Sequence, residues 1–411
     1  MKKHLLAASL VVTSFASFGA GYQLNLQGLR QLAMGGTGAA TPWDVSTIFY
    51  NPGALARINT IQAYVGVLNI MPRTAYGNYE GSTRSVERSF TPFNFYVGGT
   101  VKDKSRLALG LGIYTPYGTG LTWENAWPGR YLVQSVDLKC VFVQPTIAYK
   151  LSDVWSVGAG FIYAAGTFDM KQALPVQNVV GTTYADATAH LHGSGNGVGF
   201  NVGLHMKASD RLSLGLTYRS QVTMDVGGGS ATFVVNPTLK AMFPDTKFSS
   251  FLPLPQVATL GIAVKPLNNE RLTLQADFNY TGWNSFDSLY IDFSDHTSAL
   301  KDIHAPRHYR NTFTARLGAN YKISKVVSVM GGSAYDPTPV VNRFVSPDLP
   351  DADRVIITCG AAVKPIKRFT ILAACEFVTS LKRAASYDFG NFKGTYWTQA
   401  ITPGVAVYYN F

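Results

Sequence analysis

Charge is scarce in this chain. Only 14% of its 411 residues are Asp, Glu, Lys or Arg, against roughly 25% in typical soluble domains. Cysteine is scarcer still, with Cys140, Cys359 and Cys375 alone. None forms a CxxC pair, and all three sit in apolar strand-like segments as small buried or lipid-facing residues; a Cys359–Cys375 bridge stays open. No uninterrupted apolar run reaches the ~18 residues of a membrane-spanning helix. There is no GxSxG and no HExxH, so neither a nucleophile elbow nor a zincin helix is written here. Gly193-Ser194-Gly195-Asn196-Gly197 lacks the Lys-Ser/Thr of a phosphate loop and lies in a strand pattern. The chain reads as neither an enzyme nor an ATP-driven pump, and no metal or cofactor is implied.

What is abundant points elsewhere. Aromatics reach 13%, with 22 Tyr, 24 Phe and 39 Gly. Many aromatics and glycines with little charge fit a β-structure whose outside is apolar. Lys2 and Lys3 followed by the apolar Leu5–Phe18 read as a signal peptide over residues 1–19, with cleavage before or after Ala20. Its removal lowers the formal charge from +11 to +9. The remaining basic residues are spread out, without the runs of a nucleic-acid binder.

From residue 61 the period is two. Val405, Val407, Tyr409 and Phe411 alternate with Gly404, Ala406, Tyr408 and Asn410, and Phe313, Ala315 and Leu317 alternate with Thr314, Arg316 and Gly318. Successive strand side chains point to opposite faces. Fourteen such segments fit over residues 61–411, joined alternately by tight turns and long connections. The tight turns include Leu151-Ser152-Asp153 and Ala208-Ser209-Asp210; the long loops run about 72–89, 119–131, 172–185, 235–253, 293–307, 337–352 and 382–395. Sorting of loops by length, with strands long enough to cross a bilayer, marks an outer-membrane barrel. A sheet in lipid must close on itself, because open edges leave backbone groups unpaired. The expected fold is all-β, a 14-stranded antiparallel transmembrane barrel in the outer membrane of a Gram-negative cell. Outer-membrane lipids surround it, and the aromatic end at Phe411 resembles the tag read by barrel-assembly machinery.

Parity places Arg219, Asp225, Asp277, Arg310, Arg316 and Glu376 toward the lumen, where mutual pairing is the ordinary expectation. A barrel of this width has room inside. Residues 20–60 are the non-strand piece long enough to fill it, which favours a plug over an open diffusion porin. Within that piece Asn51 can bond its own backbone in a turn, Pro52 fixes φ, and Gly53 permits a conformation that other residues resist. In the third strand, Pro116 and Gly118 interrupt the ladder, as a bulge or as the start of a loop. The 235–253 segment carries Phe243, Phe248, Phe251 and Leu252, an apolar cluster on the outside that suits ligand capture.

Several stretches together resemble the FadL-type family of outer-membrane transporters for long-chain fatty acids and aromatic hydrocarbons (the OMPP1/FadL/TodX family). These are Gly21-Tyr22-Gln23-Leu24-Asn25, Ser46-Thr47-Ile48-Phe49-Tyr50-Asn51-Pro52-Gly53-Ala54, Trp127-Pro128-Gly129-Arg130-Tyr131, Asn279-Tyr280-Thr281-Gly282-Trp283, and Ser346-Pro347-Asp348-Leu349-Pro350-Asp351. The resemblance covers nearly the whole mature chain. It implies a hatch over 20–60 with Tyr22, Asn25, Asn51, Pro52 and Gly53 as its gate residues, although the family usually has Asn-Pro-Ala where Asn51-Pro52-Gly53 stands. It implies an inward kink at Pro116 and Gly118 that opens the wall sideways. Loops 172–185 and 235–253 would form the first apolar groove, with Arg310 as headgroup contact and Thr115 as hydroxyl contact. A second basic position of the family is Thr167 here, with Lys171 nearby; Arg316 or Arg219 could substitute. The implied function is passive uptake of a long-chain fatty acid, or alternatively of a neutral or aromatic hydrocarbon.

Overall fold

The computed structural model describes residues 21–411 except 103–104, 177, 180–181, 184–185 and 267–270. The expected leader over 1–19 lies outside the described residues, as do parts of the turns at Lys102-Asp103-Lys104 and Leu267-Asn268-Asn269 and of the 172–185 loop.

Fourteen strands close into an antiparallel barrel. They are β1 (Gln62–Leu68, resumed at Met71–Asn78), β2 (Phe93–Thr100), β3 (Leu107–Thr122), β4 (Ser135–Lys150), β5 (Trp155–Leu174), β6 (Ala187–Lys207) and β7 (Leu212–Arg219, resumed at Val222–Val234). Then come β8 (Thr246–Leu254, resumed at Val257–Val264), β9 (Leu272–Thr281), β10 (Thr312–Lys322), β11 (Val327–Asp336), β12 (Arg354–Ile366), β13 (Phe369–Ser380) and β14 (Phe392–Asn410). Each pairs with its neighbours in sequence, and β1 pairs with β14 from Gln62 opposite Asn410 to Leu68 opposite Gly404. That last ladder removes the open edge that lipid would not tolerate.

The two-residue period becomes two surfaces. On β10, Phe313 and Leu317 are exposed while Thr314, Arg316 and Asn320 are buried, and on β14 Val405 stands out while Ala406 is buried. The exposed set faces lipid, where apolar contact costs nothing; the inward set is polar because it meets backbone, as described below. The strands reach 20 residues in β5 and 21 in β6, well past the ~9–11 needed to span. Their upper parts therefore stand clear of the membrane.

Several expectations need correction, among them the loop expected from residue 72, where β1 runs on to Asn78. Asp225 is exposed, not lumenal. β7 breaks at Ser220–Gln221, and this interruption reverses parity, so Val222, Met224 and Val226 take the inward positions. The long loop 235–253 ends early, because β8 starts at Thr246 and pairs with β7. The loop expected from 119 begins only after Thr122, since β3 continues through its kink.

Residues 21–58 lie against the inner wall, almost wholly buried. They form two single-turn helices, α1 (Leu29–Leu32) and α2 (Thr47–Tyr50), and a 3-10 helix over Pro52–Arg57. Such an irregular segment has backbone N–H and C=O groups with no ladder to join, and buried polar groups need partners. The wall supplies them. Asp277 accepts from the amides of Gly38 (2.8 Å) and Ala39 (3.0 Å). Arg219 donates to the Phe49 carbonyl at 2.8 Å, with its guanidinium over the Phe49 ring. Arg316 donates to Gly35 O, Gln144 to Ile48 O, and Thr358 Oγ1 accepts from Gly35 N. The inward charges expected to pair with one another instead hold the plug's backbone.

Asn51 caps the 3-10 helix. Its Oδ1 accepts from Gly53 N at 3.0 Å, and its Nδ2 donates to Ala39 O (2.7 Å) and Leu204 O (3.1 Å). Pro52 occupies the first helical turn, where no N–H is needed. Gly53 is required for a different reason from the one expected. Its φ is not left-handed; a Cβ there would lie 2.5 Å from the Gly203 carbonyl of β6. Space, not backbone conformation, selects glycine.

Candidate functional site

The site is built where β3 stops obeying its neighbour. The β2–β3 ladder runs from Thr100 opposite Ala108 to Asn94 opposite Tyr114 and ends there. In the β3–β4 ladder the register shifts between Tyr114 and Tyr117, the mark of one extra residue and a local bend. Pro116, which has no N–H, sits in that step. Beyond it the plug takes over the vacated edge: Leu24 N donates to Pro116 O at 2.8 Å and Gly118 N donates to Tyr22 O at 3.0 Å. Pro116 and Gly118 are thus in the strand, at the bulge, and not at the start of a loop. Gly120, two residues on, leaves the room that the Phe90 ring occupies.

A cavity of about 580 Å³ lies against this gap. Its lining runs from Gln23 and Asn25 of the plug to Thr115 and Tyr117 of β3, Phe90 and Phe93 before and on β2, and the inward residues Asp336, Arg354 and Glu376. A smaller apolar cavity of about 80 Å³ lies among Phe168, Met224, Phe248, Leu252, Leu254 and Phe286. The two share Thr119, Leu138, Lys139, Cys140, Asp348 and Leu349 as common wall. Tyr22 lines the smaller one while its neighbours Gly21 and Gln23 line the larger. Its ring is packed edge-on against Trp283 with centroids 4.9 Å apart, and its hydroxyl donates to the Pro253 carbonyl. Tyr22 therefore stands at the junction of the two cavities, held at both ends.

The other residues singled out in the sequence are dispersed. Thr115 lines the larger cavity, and its carbonyl accepts from Gln27 Nε2 at 2.8 Å. Phe248 (1% exposed) and Leu252 line the smaller one, whereas Phe251 (42% exposed) points outward and stacks on Tyr290. The alternation of a strand splits what a loop would have gathered. Phe243 packs beside Phe233 in an apolar cluster that includes Phe248 and Val226 and so adjoins the smaller cavity. Arg316 borders a small polar pocket against the plug, which shares Gln23 and Asn25 with the larger cavity. Arg310 is exposed and precedes β10, so strand parity does not reach it; its amide donates to Pro339 O.

A guanidinium that pattern reading missed is buried nearby. Arg307 (4% exposed) makes a bidentate contact with Asp348, at 3.1 and 2.9 Å, and borders the smaller cavity. Burial would push the Asp348 carboxyl up, but the adjacent Arg307 charge overcomes this and holds it below its ordinary value. Asp351 is tied to Arg354 and also accepts from Gly21 N at 3.1 Å and from Thr338 Oγ1. Arg88 pairs with Asp137 at 2.8 Å. Arg307 and Asp348 are 41 residues apart and Arg88 and Asp137 are 49, so no local spacing announces these two pairs, whereas Asp351 and Arg354 stand at i and i+3.

This arrangement has relatives. Residues 9–411 match the family model described as outer membrane protein transport protein (OMPP1/FadL/TodX). A long-chain fatty acid transport protein of Salmonella typhi is 24% identical over 390 residues, covering 87% of each chain. The crystal structure of a Pseudomonas aeruginosa FadL homologue superposes with a TM-score of 0.80 at 22% identity, covering 96% of this chain and all of that one. That of the P. putida toluene transporter TodX gives 0.74 at 17% identity, covering 96% of this chain and 99% of the other. With its closed barrel and near-complete family match, this chain is an outer-membrane protein and belongs to the OMPP1/FadL/TodX transport family.

Proposed function

We propose that this protein takes up hydrophobic compounds across the outer membrane without an energy-coupling step of its own. The observation that carries the reading is the pair of cavities meeting at Tyr22, with the larger abutting the gap between β2 and β3. A ligand enters the apolar cavity among Phe248, Leu252 and Phe286, passes Tyr22 as the first plug residues shift, and enters the cavity of about 580 Å³. That volume lies within the ~300–1,000 Å³ of ligand sites. It then leaves sideways between β2 and β3 into the membrane, past Phe90. Residues 20–60 act as the hatch, and Asn25, Asn51, Pro52 and Gly53 set its resting position. Lateral exit suits a molecule whose favourable solvent is lipid rather than the periplasm.

The first candidate ligand is a long-chain fatty acid, the cargo named for the Salmonella relative, with Arg310 as an outer contact for its carboxylate. A neutral or aromatic hydrocarbon is the second reading. One observation favours it: the guanidinium groups of Arg88, Arg307 and Arg354 around the cavities already face carboxylates, so that Lys139, common to both cavities, is the cation on which the first reading rests there.

Deleting Pro116 tests the exit. The deletion removes both the extra residue and the missing donor, so β3 can continue its ladder with β2. Uptake of radiolabelled oleate and toluene should be lost while the barrel stays folded and heat-modifiable on gels. Undiminished uptake of both ligands overturns lateral exit.

A further inference from the structure

Cys359 on β12 and Cys375 on β13 stand directly opposite each other in the antiparallel ladder. Both point to the lipid side. Ile357 and Phe377, their outward neighbours on the same strands, are exposed, while Thr358, Leu372 and Ala374 on the alternate positions are buried. Opposite residues in such a ladder have Cα atoms about 4.5–5.5 Å apart, inside the ~4.4–6.8 Å range of disulfides. The third cysteine is excluded from pairing: Cys140 is on β4, buried and turned inward to line both cavities. Of the three pairings open to three cysteines, only one fits the register.

We propose that Cys359 and Cys375, whose sulfurs are unbonded in this structure, are joined by a disulfide in the mature protein, and that the bond forms before the barrel enters the membrane. β12 and β13 are consecutive and meet at a tight turn, with Ile366 opposite Phe369, so the two cysteines meet as soon as this local hairpin forms. The oxidant is a protein disulfide of the periplasm, the compartment through which an outer-membrane chain passes. One cysteine thiolate attacks that disulfide, forming a mixed disulfide and releasing one thiolate of the oxidant. The other cysteine attacks the sulfur of the first, expelling the second. The two cysteine thiols lose two protons and two electrons, and the oxidant becomes a dithiol. After insertion, lipid covers the outward face and keeps polar reductants from the bond.

The bond would lie behind the wall segment that carries the plug. On the inner face of the same two strands, Thr358 Oγ1 accepts from Gly35 N at 2.8 Å, and Gly360 leaves the room taken by Ala33 after α1. A one-residue slip of β12 against β13 would turn this inner face outward; the disulfide fixes the register from the lipid side.

The test uses full-length protein from native outer membranes, denatured in acid and alkylated with a maleimide before and after reduction. Intact mass should show one alkylated thiol before reduction and three after, the latter matching the three cysteines present. Peptide mapping should assign the single thiol to Cys140 and link the Cys359 and Cys375 peptides. Three reactive thiols without reduction, or a link from either residue to another molecule, overturns the proposal. The Cys375→Ser variant should yield two reactive thiols in the same assay; none would mean that Cys140 and Cys359 pair with each other, and overturns the proposal. A water-soluble phosphine applied to intact membranes should leave the bond in place, yet break it once the barrel is unfolded. Full reduction in intact membranes overturns the lipid-shielded placement.

Discussion

The amide of Gly118 on β3 donates to the carbonyl of Tyr22 at 3.0 Å. A barrel strand that has parted from its neighbour is here completed by the first residues of the plug. The gap in the wall and the plug's starting segment therefore share one set of hydrogen bonds. Moving Tyr22 would free the β3 edge, against which the larger cavity lies.

Tyr22→Phe should change little, because only the bond to Pro253 O is removed, at about 1 kcal/mol. Tyr22→Ala should merge the two cavities and weaken ligand retention at least tenfold in a tritiated-oleate binding assay. Equal binding by the Ala variant would show that Tyr22 does not separate them.

Asn51→Ala should loosen the plug without unfolding the barrel. It removes the donor to Ala39 O and Leu204 O and the acceptor for Gly53 N, and each buried group left unsatisfied costs about 1–3 kcal/mol. Hydrogen exchange of residues 21–58 should rise while that of β9–β13 stays unchanged. Salt conductance in planar bilayers should increase. Asn51→Asp, which keeps the acceptor but sets a buried carboxylate oxygen against the Ala39 and Leu204 carbonyls, should loosen the plug at least as much as Ala.

Arg307→Ala leaves the half-buried Asp348 carboxylate without its partner; breaking a fully buried pair costs about 3–5 kcal/mol, and this one less. The extracellular loops should become protease-sensitive at temperatures where wild type resists. Arg307→Met combined with Asp348→Leu should recover much of the loss, because both desolvation penalties disappear together.

The same pair sets an acid limit. The Asp348 carboxyl is held below its ordinary value in the folded protein, so its ionised form contributes stability at all pH above the unfolded value of about 3.9. That contribution declines as pH falls toward and through the lowered folded value. Protease resistance of the 337–353 loop should be flat from pH 7 to about 4.5 and fall below it. Asp348→Asn should flatten the acid limb.

Arg310→Ala should reduce oleate uptake several-fold and leave toluene uptake unchanged if Arg310 meets the carboxylate. Equal loss of both would assign it to loop structure instead.

The alternation of apolar and polar residues is a local property, so it was legible. Phe313, Leu317 and Val405 face lipid as their period demands, and the fourteen strands follow from counting such runs. Pro116 and Asn51-Pro52 were also readable, because a missing N–H and an Asx turn act within a few residues, whereas the glycine at 53 is set by the close approach of β6. Parity failed where the chain breaks step. The interruption at Ser220–Gln221 turned Asp225 outward, and Arg310 lies ahead of the strand whose phase was used to place it. Phe248 and Phe251 looked like one apolar loop cluster, and strand geometry put them on opposite faces.

By itself the sequence determined a closed outer-membrane barrel with something irregular inside it, because periodicity, loop sorting and the need to pair every strand edge in lipid leave little else. Only the tertiary structure decided what the inward charges do. Asp277, Arg219 and Arg316 are far from the plug in sequence. Their bonds to its backbone exist because the closed barrel brings distant groups within 3 Å or so, a proximity that no spacing along the chain encodes.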